Sequence, residues 1–548
     1  MTTVYTINPG AVFAARDRVP LLTVTSTPRT DRPWMIVGST DTSGARDTIL
    51  AAVSACGWTP PITGTVHVTP VGARPGRGVT DLAIATTVLI DHGRIDHGRT
   101  GEWPPVMDTT VVCGGLGVDG TVRPVRGLLA GLVRARQEGM TRAIVPATQV
   151  DEARLVSGLT TTGVGDLADL VRVLHGGTGV TVRTREPEPV ITPRNVDVPA
   201  PVADALMVAA AGHHHVLIIS PPADWWARLG PVTASLLPPL GPLAAQEVAV
   251  LRSLAGQPVS AWPTRAPWVS PPPGASMATV LGGDRPAASL GIHPGAVSLA
   301  THGVLALPDI TQYDTRVLEV LDTPLSVGMI SLGCSDWSVL YPASGLLVAT
   351  MRSCPCGTTP CTCTPAAIRT HGTYWSRIPG PTMDRIPLRV TVDASTPLVT
   401  MDLDRVRDRV AEARGHQSER YRGIMPATLN STMDETWLRD HPLPDDLDTM
   451  LTDTVTRGEL TARGRHQVAQ VARTLSDLDG TDLTGDHVHQ AMVLRGATTP
   501  ADPETTTGVS LPAYTRTPGD DQQEAVADGA NWQNMLASYA AHGLLDRV

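Results

Sequence analysis

The stretch that most constrains this chain is Val216 to Leu240, VLIISPPADWWARLGPVTASLLPPL. Val216 to Ile219 is an apolar run that reads as a buried strand. A tight turn follows at Ser220-Pro221-Pro222-Ala223-Asp224, and then an apolar segment that closes on Leu236-Leu237-Pro238-Pro239-Leu240. Strand, turn and helix is the frame of a phosphate-binding loop. The chemistry of such a loop is missing. It needs glycines so that backbone N–H groups approach phosphate, a Lys for the β and γ phosphates, and a Ser or Thr for Mg²⁺. Trp225, Trp226 and Ala227 stand where the last glycine, the Lys and the hydroxyl belong. Asp224 adds negative charge beside them, and Pro231 is expected to disturb the first turns of the helix.

A second exclusion comes from a count. The sequence holds 43 Arg, equal to the whole Lys+Arg total of 43, so it has no Lys at all. That removes the P-loop Lys, the Ser-Lys protease dyad, the Schiff-base Lys and the pyridoxal Lys together. At 548 residues there is chain for three or four domains. Aromatic residues make up only 3%, with Phe13 the single Phe, so the core must come from Val, Leu, Ile, Ala and Met. The net charge of −10 gives no global basic field, so any DNA contact requires a local patch. Four of the seven Cys cluster at Cys354, Cys356, Cys361 and Cys363, while Cys56, Cys113 and Cys334 are scattered. This is not a secreted disulfide framework. No signal-peptide pattern opens the chain and no apolar run reaches membrane-spanning length. The expected compartment is the cytoplasm.

In chain order, Val66 to Val71 alternates like a strand, and Asp81 to Leu89 reads as a helix. Val111 to Gly120 reads as a strand closed by an Asp-Gly turn. Gly115, Gly117 and Gly120 spell GxGxxG, yet no helix opens directly after them, so a hairpin turn is the reading. Leu128 to Glu138 reads as a helix and Ala143 to Ala147 as a short strand. Arg183 to Pro201 is rich in Pro and charge and reads as an extended linker. Beyond Val216–Leu240 the α/β core is broken by a Pro-rich insertion at Ala266 to Gly274. Leu403 to Tyr421 reads as a charged helix with Val406, Val410 and Ala413 on one face. His213-His214-His215 invites a metal reading, but three consecutive residues diverge, and a loop role is the better one.

The loop frame, together with VSLATHGVLALPD (297–309), LVATMRS (347–353), CPC with CTC (354–363) and SRIPGPTMDRI (376–386), resembles magnesium-chelatase-like AAA+ proteins of the ComM/YifB type. DLAIA, GGLGVDGTVRPVRG and AIVPA resemble that group's Lon-like amino-terminal domain. The resemblance implies an α/β fold in five parts. These are a Lon-like (ribosomal-S5-domain-2-like) domain over 1–178, a linker over 179–201, a P-loop-type AAA+ core over 202–395, a helical lid over 396–496 and an acidic, flexible tail over 497–548.

The same resemblance locates departures. Where the family reads close to GPPGSGKT, this chain has the degenerate loop Ser220, Pro221, Pro222, Ala223, Asp224, Trp225, Trp226, Ala227. Where it reads LFLDE, the metal-binding Asp is Pro308 and the Glu that orients water is Asp309. Arg352 replaces a γ-phosphate-sensing Asn, and the His pair of an RPFRSPHH-like segment is gone from 266–273. Other positions are kept. Cys354, Cys356, Cys361 and Cys363 match NPCPCG…CRCTP. If each pair lies on extended backbone, i and i+2 aim both sulfurs at one ion and close a Cys₄ zinc site; the alternative is four reduced thiols on a loop. Arg377 and Arg385 fall at finger positions that reach a neighbour's ATP site, the alternative being local pairing with Asp384 or a carbonyl. Arg463 falls at the lid's sensor position.

Two functions follow as expectations. One is a non-catalytic pseudo-ATPase, with ATP-Mg neither bound nor turned over. It would be an assembly or regulatory subunit forming a homo- or hetero-oligomeric ring with an intact paralogue, linked to DNA uptake or recombination, without a membrane. The other is a hexameric DNA branch-migration motor of the ComM type with an unorthodox ATP site. A Lon-type protease is set aside for want of a Lys.

Overall fold

Apolar runs and period-two alternation distribute the chain between two main sheets, followed by helices at the carboxy-terminal side. The structure, a computed structural model, describes residues 3–7, 21–27, 33–38, 42–70, 78–95, 107–182, 194–284, 292–334, 337–358, 362–364, 374–423, 429–434, 437–438, 441 and 443–496. The amino-terminal sheet has seven strands: β1 (Thr3–Ile7), β2 (Leu21–Thr27), β3 (Met35–Val37), β4 (Thr65–Thr69), β5 (Thr110–Val112), β6 (Arg142–Pro146) and β7 (Thr160–Val164). Their order is β3-β4-β2-β1-β5-β6-β7. β1, β2 and β4 pair antiparallel, and β5, β6 and β7 are parallel. Helices α1 (Asp81–Asp91) and α2 (Leu128–Gln137) pack on it. The GxGxxG glycines do form a hairpin: the N–H of Gly117 donates to Thr121 O at 2.8 Å and that of Gly120 to Gly117 O at 3.0 Å.

The central sheet carries β8 (Val216–Ile219), β9 (Trp268–Val269), β10 (Val304–Leu307), β11 (Leu346–Met351) and β12 (Leu388–Thr391), in the order β9-β10-β11-β8-β12. All neighbours are parallel. β8, β10 and β11 are buried at every residue, which is why they are apolar in sequence rather than alternating, Thr350 of β11 excepted. The first strand in chain order thus lies between the fourth and the fifth, and ligands of open α/β sheets bind at such a reversal, beyond the strands' carboxyl ends. Around it lie α3 (Ala200–Gly212), α4 (Trp226–Leu236), α5 (Pro242–Ala255) and α6 (Thr315–Val327). The carboxy-terminal helices are α7 (Leu403–Arg420), α8 (Asp445–Thr456), α9 (Ala462–Asp479) and α10 (Gly485–Arg495). In α7, Val410 and Ala413 are buried and Val406 is half-buried.

Three expectations are corrected. The Pro-rich stretch 266–274 does not break the core but supplies its edge strand β9, kept to two residues because prolines cannot donate to the ladder. The expected linker is not free chain where it is described. Asn195–Pro199 is a strand paired antiparallel with Leu398–Asp402, burying Val196 and Val198, and α3 starts at Ala200; residues 183–193 lie outside the described residues. Pro231 does not interrupt α4, which runs through it. The carbonyl deprived of its donor belongs to Ala227, an exposed residue open to solvent. The tail after residue 496 also lies outside the described residues.

The two sheets are bolted together. Ile7, Val111, Leu128 and Leu132 belong to the same apolar cluster as Leu217, Ile219, Leu251 and Leu305. At its centre Glu152 accepts from Ser253 Oγ (2.6 Å), Gln149 Nε2 (2.9 Å) and the N–H of Leu129 (3.2 Å). Burial pushes this carboxyl up from its ordinary range. No helix of the described residues is long and apolar enough to cross a membrane.

Candidate functional site

The carboxyl ends of β8, β10 and β11 open onto one edge of the parallel sheet. β8 delivers the degenerate loop. Ser220 is tied to β11 by its N–H donating to Met351 O at 3.0 Å. Beyond it the loop bonds to itself. Trp226 N donates to Ala223 O at 3.1 Å and Arg228 N to Trp225 O at 3.0 Å, so donors that a phosphate would need are engaged in turns. The Trp226 indole Nε1 donates to Ser220 Oγ at 2.8 Å, and Ser220 Oγ donates to Pro221 O at 2.9 Å. Trp225 is buried against the core, whereas Pro222, Asp224 and Ala227 are exposed. Pro221 and Ala223 are half-buried.

β10 ends at Leu307 and, after Pro308, delivers Asp309, a residue only 5% exposed and in the left-handed region at φ +48°. Its carboxylate is surrounded. Thr311 Oγ1 donates to Oδ1 at 2.9 Å and Gln312 Nε2 to Oδ2 at 2.5 Å, while its own N–H donates to Thr350 Oγ1 at 2.9 Å. Arg352, at the end of β11, places Nε 2.7 Å from Oδ2. This is a charge contact rather than an aligned hydrogen bond, since that N–H has no acceptor in line. The Tyr374 hydroxyl lies 3.1 Å from Thr311 Oγ1. Sequence reasoning found Asp309 and Arg352 separately but not their pairing. It missed Thr311, Gln312 and Tyr374, for which no motif gives a signal.

The three candidate arginines have different fates. Arg385 forms a fork with Asp322 of α6, Nε to Oδ1 at 2.8 Å and Nη2 to Oδ2 at 3.3 Å. The local partner is therefore Asp322, not Asp384. Arg463 reaches Asp384 (3.3 Å), which also accepts from Arg495 Nη2 at 2.6 Å and lies 3.3 Å from Thr461 Oγ1. Arg377 is exposed and makes no ion pair among the described residues.

Behind the sheet, His213-His214-His215 do form the loop from α3 into β8. His214 is 1% exposed and its Nε2 is 2.7 Å from Thr474 Oγ1 of α9. Thr474 donates to Gln470 O (3.0 Å), so His214 is the donor in that contact. His215 Nδ1 accepts from the N–H of Leu347 at 3.1 Å. Burial holds all three rings neutral, His214 at about 3, His215 at about 4 and His213 well below the usual value.

The cysteines need a further correction. Cys354-Pro355-Cys356 is not extended but a turn, closed by Gly357 N donating to Cys354 O at 2.9 Å, with Gly357 at φ +72°. The turn itself brings the thiols together. Sγ of Cys354 lies 3.2 Å from that of Cys356 and 3.4 Å from that of Cys363. All three lie within 4.8 Å of one another; Cys361 lies outside the described residues. Zn–S bonds of about 2.3 Å hold the sulfurs of a tetrahedral site about 3.8 Å apart, so small rotations seat an ion here. Hydrogen bonds, that of the Thr358 hydroxyl first, bring the Cys356 thiol down to about 5. The donor set is soft, three thiols within reach of one another, and it fits a zinc-type ion. Cys354 is buried.

A fully parallel five-stranded sheet beside a mixed seven-stranded one defines a mixed α/β protein, with the candidate site at the ends of β8, β10 and β11. Residues 194–399 match the family model of magnesium chelatase, subunit ChlI; 401–495 match that of the ChlI carboxy-terminal region; and 25–149 match that of subunit ChlI of Mg-chelatase. An uncharacterized protein of Mycobacterium tuberculosis is 33% identical over 468 residues, spanning 82% of this chain and 90% of the relative. Competence protein ComM of Haemophilus influenzae is 28% identical over 454 residues (79% and 85%), and YifB of Escherichia coli 28% over 471 (82% and 88%). The chain belongs to the magnesium-chelatase-like ComM/YifB family.

Proposed function

We propose that this chain is a non-catalytic AAA+ member of its family. In this reading the amino-terminal sheet is a Lon-like domain, the central sheet an AAA+ core and the carboxy-terminal helices a lid. The observation that carries it is the Asp309–Arg352 pair, 2.7 Å apart where hydrolysis would need a metal and a water-orienting carboxylate. Trp226 bonded to Ser220 and the absence of any Lys support it. The cysteine cluster binds zinc, which crosslinks the chain when bound. The protein acts in a ring with an intact relative, as an assembly or regulatory subunit. The printed name of the Haemophilus influenzae relative, a competence protein, supports a setting in DNA uptake.

Titrating the protein with ATP-Mg²⁺ in a calorimeter should give no binding heat. Measurable binding with turnover would reinstate the ATP-driven motor. For the ring role, the protein is mixed with an intact paralogue of the same genome, and ATPase rate and assembly mass are read. An arginine offered in trans is worth on the order of 10³-fold in rate. Arg377 is the better placed donor, since Asp322 holds Arg385. No mixed assembly, or an unchanged rate with both Arg377→Ala and Arg385→Ala, removes the trans role.

A further inference from the structure

In a phosphate-binding loop the bound anion organises the backbone, because its N–H groups converge on that anion. Here those donors turn inward, and the loop Ser220–Asp224 must be organised by something else. Its inner side is accounted for by Trp226 on Ser220, Trp225 in the core, and Ser220 N on Met351 O. Its outer side is Pro222, and the chain that lies on Pro222 is the cysteine turn. A Cβ built on Gly357 would sit 3.5 Å from Pro222 Cγ and Cδ, ordinary van der Waals contact. Loop and turn also share one anchor. Met351, whose carbonyl holds Ser220, is three residues before Cys354. Across the same edge, Arg352 ties the strand between them to Asp309.

We propose that a zinc-type ion held by Cys354, Cys356 and Cys363 fixes the degenerate loop through the Gly357–Pro222 contact, taking the organising place of a nucleotide. The inference rests on the metal reading above. The turn explains why an ion is needed. Between Cys354 and Gly357 one backbone hydrogen bond closes it, and Cys354 is its only buried thiol. Joining Cys363 to this turn through a metal anchors the chain on both sides of Gly357 in sequence and so holds Gly357 beside Pro222. Gly357 suits that position because its backbone adopts φ +72°, a conformation that favours glycine.

The test uses the full chain, zinc-loaded and chelator-treated, with zinc counted by elemental analysis and hydrogen exchange followed on peptides spanning 220–228. At zinc near 100 times its dissociation constant, an opening that requires metal release slows by up to about 100-fold. The expected result is slower exchange of the loop with zinc, while peptides from the β3–β4 edge of the amino-terminal sheet do not change. Pro222→Gly removes the contact and leaves the ligands, so it should keep its zinc and lose the zinc dependence of loop exchange. Cys363→Ser should lose both. If zinc is bound and loop exchange ignores it, or if Pro222→Gly still shows the full effect, the clamp is overturned and the metal site stands. If no zinc is bound by the loaded wild-type protein, the metal reading fails and the clamp with it.

Discussion

Two sides of the central sheet handle polar groups in opposite ways. At the carboxyl edge, Asp309 and Arg352 pair with each other where recognition of an outside ligand is expected, and Trp226 covers Ser220. At the seam with the carboxy-terminal helices, polar groups join separate elements. Asp384 holds Arg463 and Arg495; His214 meets Thr474; Arg414 Nη2 donates to Ala210 O at 2.6 Å; and Gln417 Nε2 donates to Ala211 O at 3.2 Å. The last two satisfy carbonyls at the end of α3 that have no partner within the helix. The edge keeps its bonds within one small cluster, Asp309 with Arg352, Thr311 and Gln312, so its two charges can be replaced together. The seam is shared, so each group there is answerable to several others.

The largest effect that would sharpen this contrast is at Asp384. Asp384→Ala leaves Arg495, only 5% exposed, without its carboxylate, with Arg463 and the half-buried Arg389 nearby. Breaking such a pair from one side costs about 3 kcal/mol. Urea unfolding should show a lower midpoint at unchanged m. A loss below about 1 kcal/mol would place Asp384 among ordinary surface pairs and break the contrast.

At the edge, Arg352→Ala takes the cation from a buried carboxylate that keeps only its bonds from Thr311 and Gln312, and should cost about 1–3 kcal/mol. The double change Asp309→Asn with Arg352→Met should recover most of that, because removing both members of a buried pair is often nearly neutral. If the double variant is as unstable as the single one, the edge is not self-contained. Neither variant should gain ATP binding in a calorimeter, since Trp226 and Pro308 remain.

The histidines give the seam a pH dependence. Their folded values lie below the ordinary 6.5, so between the folded and unfolded values the unfolded chain binds more protons. Stability is therefore fully present above about pH 6.5 and falls with pH below it, for His214 down to about 3 and for His215 to about 4. Each such ring contributes about 1.4 kcal/mol per pH unit in that window. His214→Gln should flatten the fall between pH 6 and pH 4 by about one proton, measured as the pH slope of unfolding free energy. An unchanged slope would mean that His214 is not held neutral by the seam. The smallest effect belongs to Arg385→Ala, whose partly exposed fork with Asp322 is worth less than about 1 kcal/mol. A larger loss would show that α6 depends on this pair.

Part of this was legible in residue order. β8 and β10 announce themselves because a strand buried on both faces must be apolar throughout, and VLII and VLAL are. The hairpin at Gly115–Gly120 was readable from its missing helix. Asn195–Pro199 was not, since prolines and charges around it masked a strand whose Val196 and Val198 alternate inward. The cysteine cluster was legible as a group and misread in shape. CPC on extended backbone and CPC in a turn have the same spacing, and the backbone conformation decides between them.

What the sequence determined by itself is a matter of residues present or absent. No Lys anywhere excludes every reaction that needs a Lys side chain, whatever the fold, and Trp226, Ala227 and Pro308 stand where the family resemblance expects other residues. Tertiary structure decided who pairs with whom. Asp309 and Arg352 are 43 positions apart, Arg385 and Asp322 63, and His214 and Thr474 260, and each pair meets only because strands or helices distant in sequence are packed side by side. Periodicity reports how a residue faces its own element. The partner across an interface depends on the register and crossing of two elements, which no local pattern encodes.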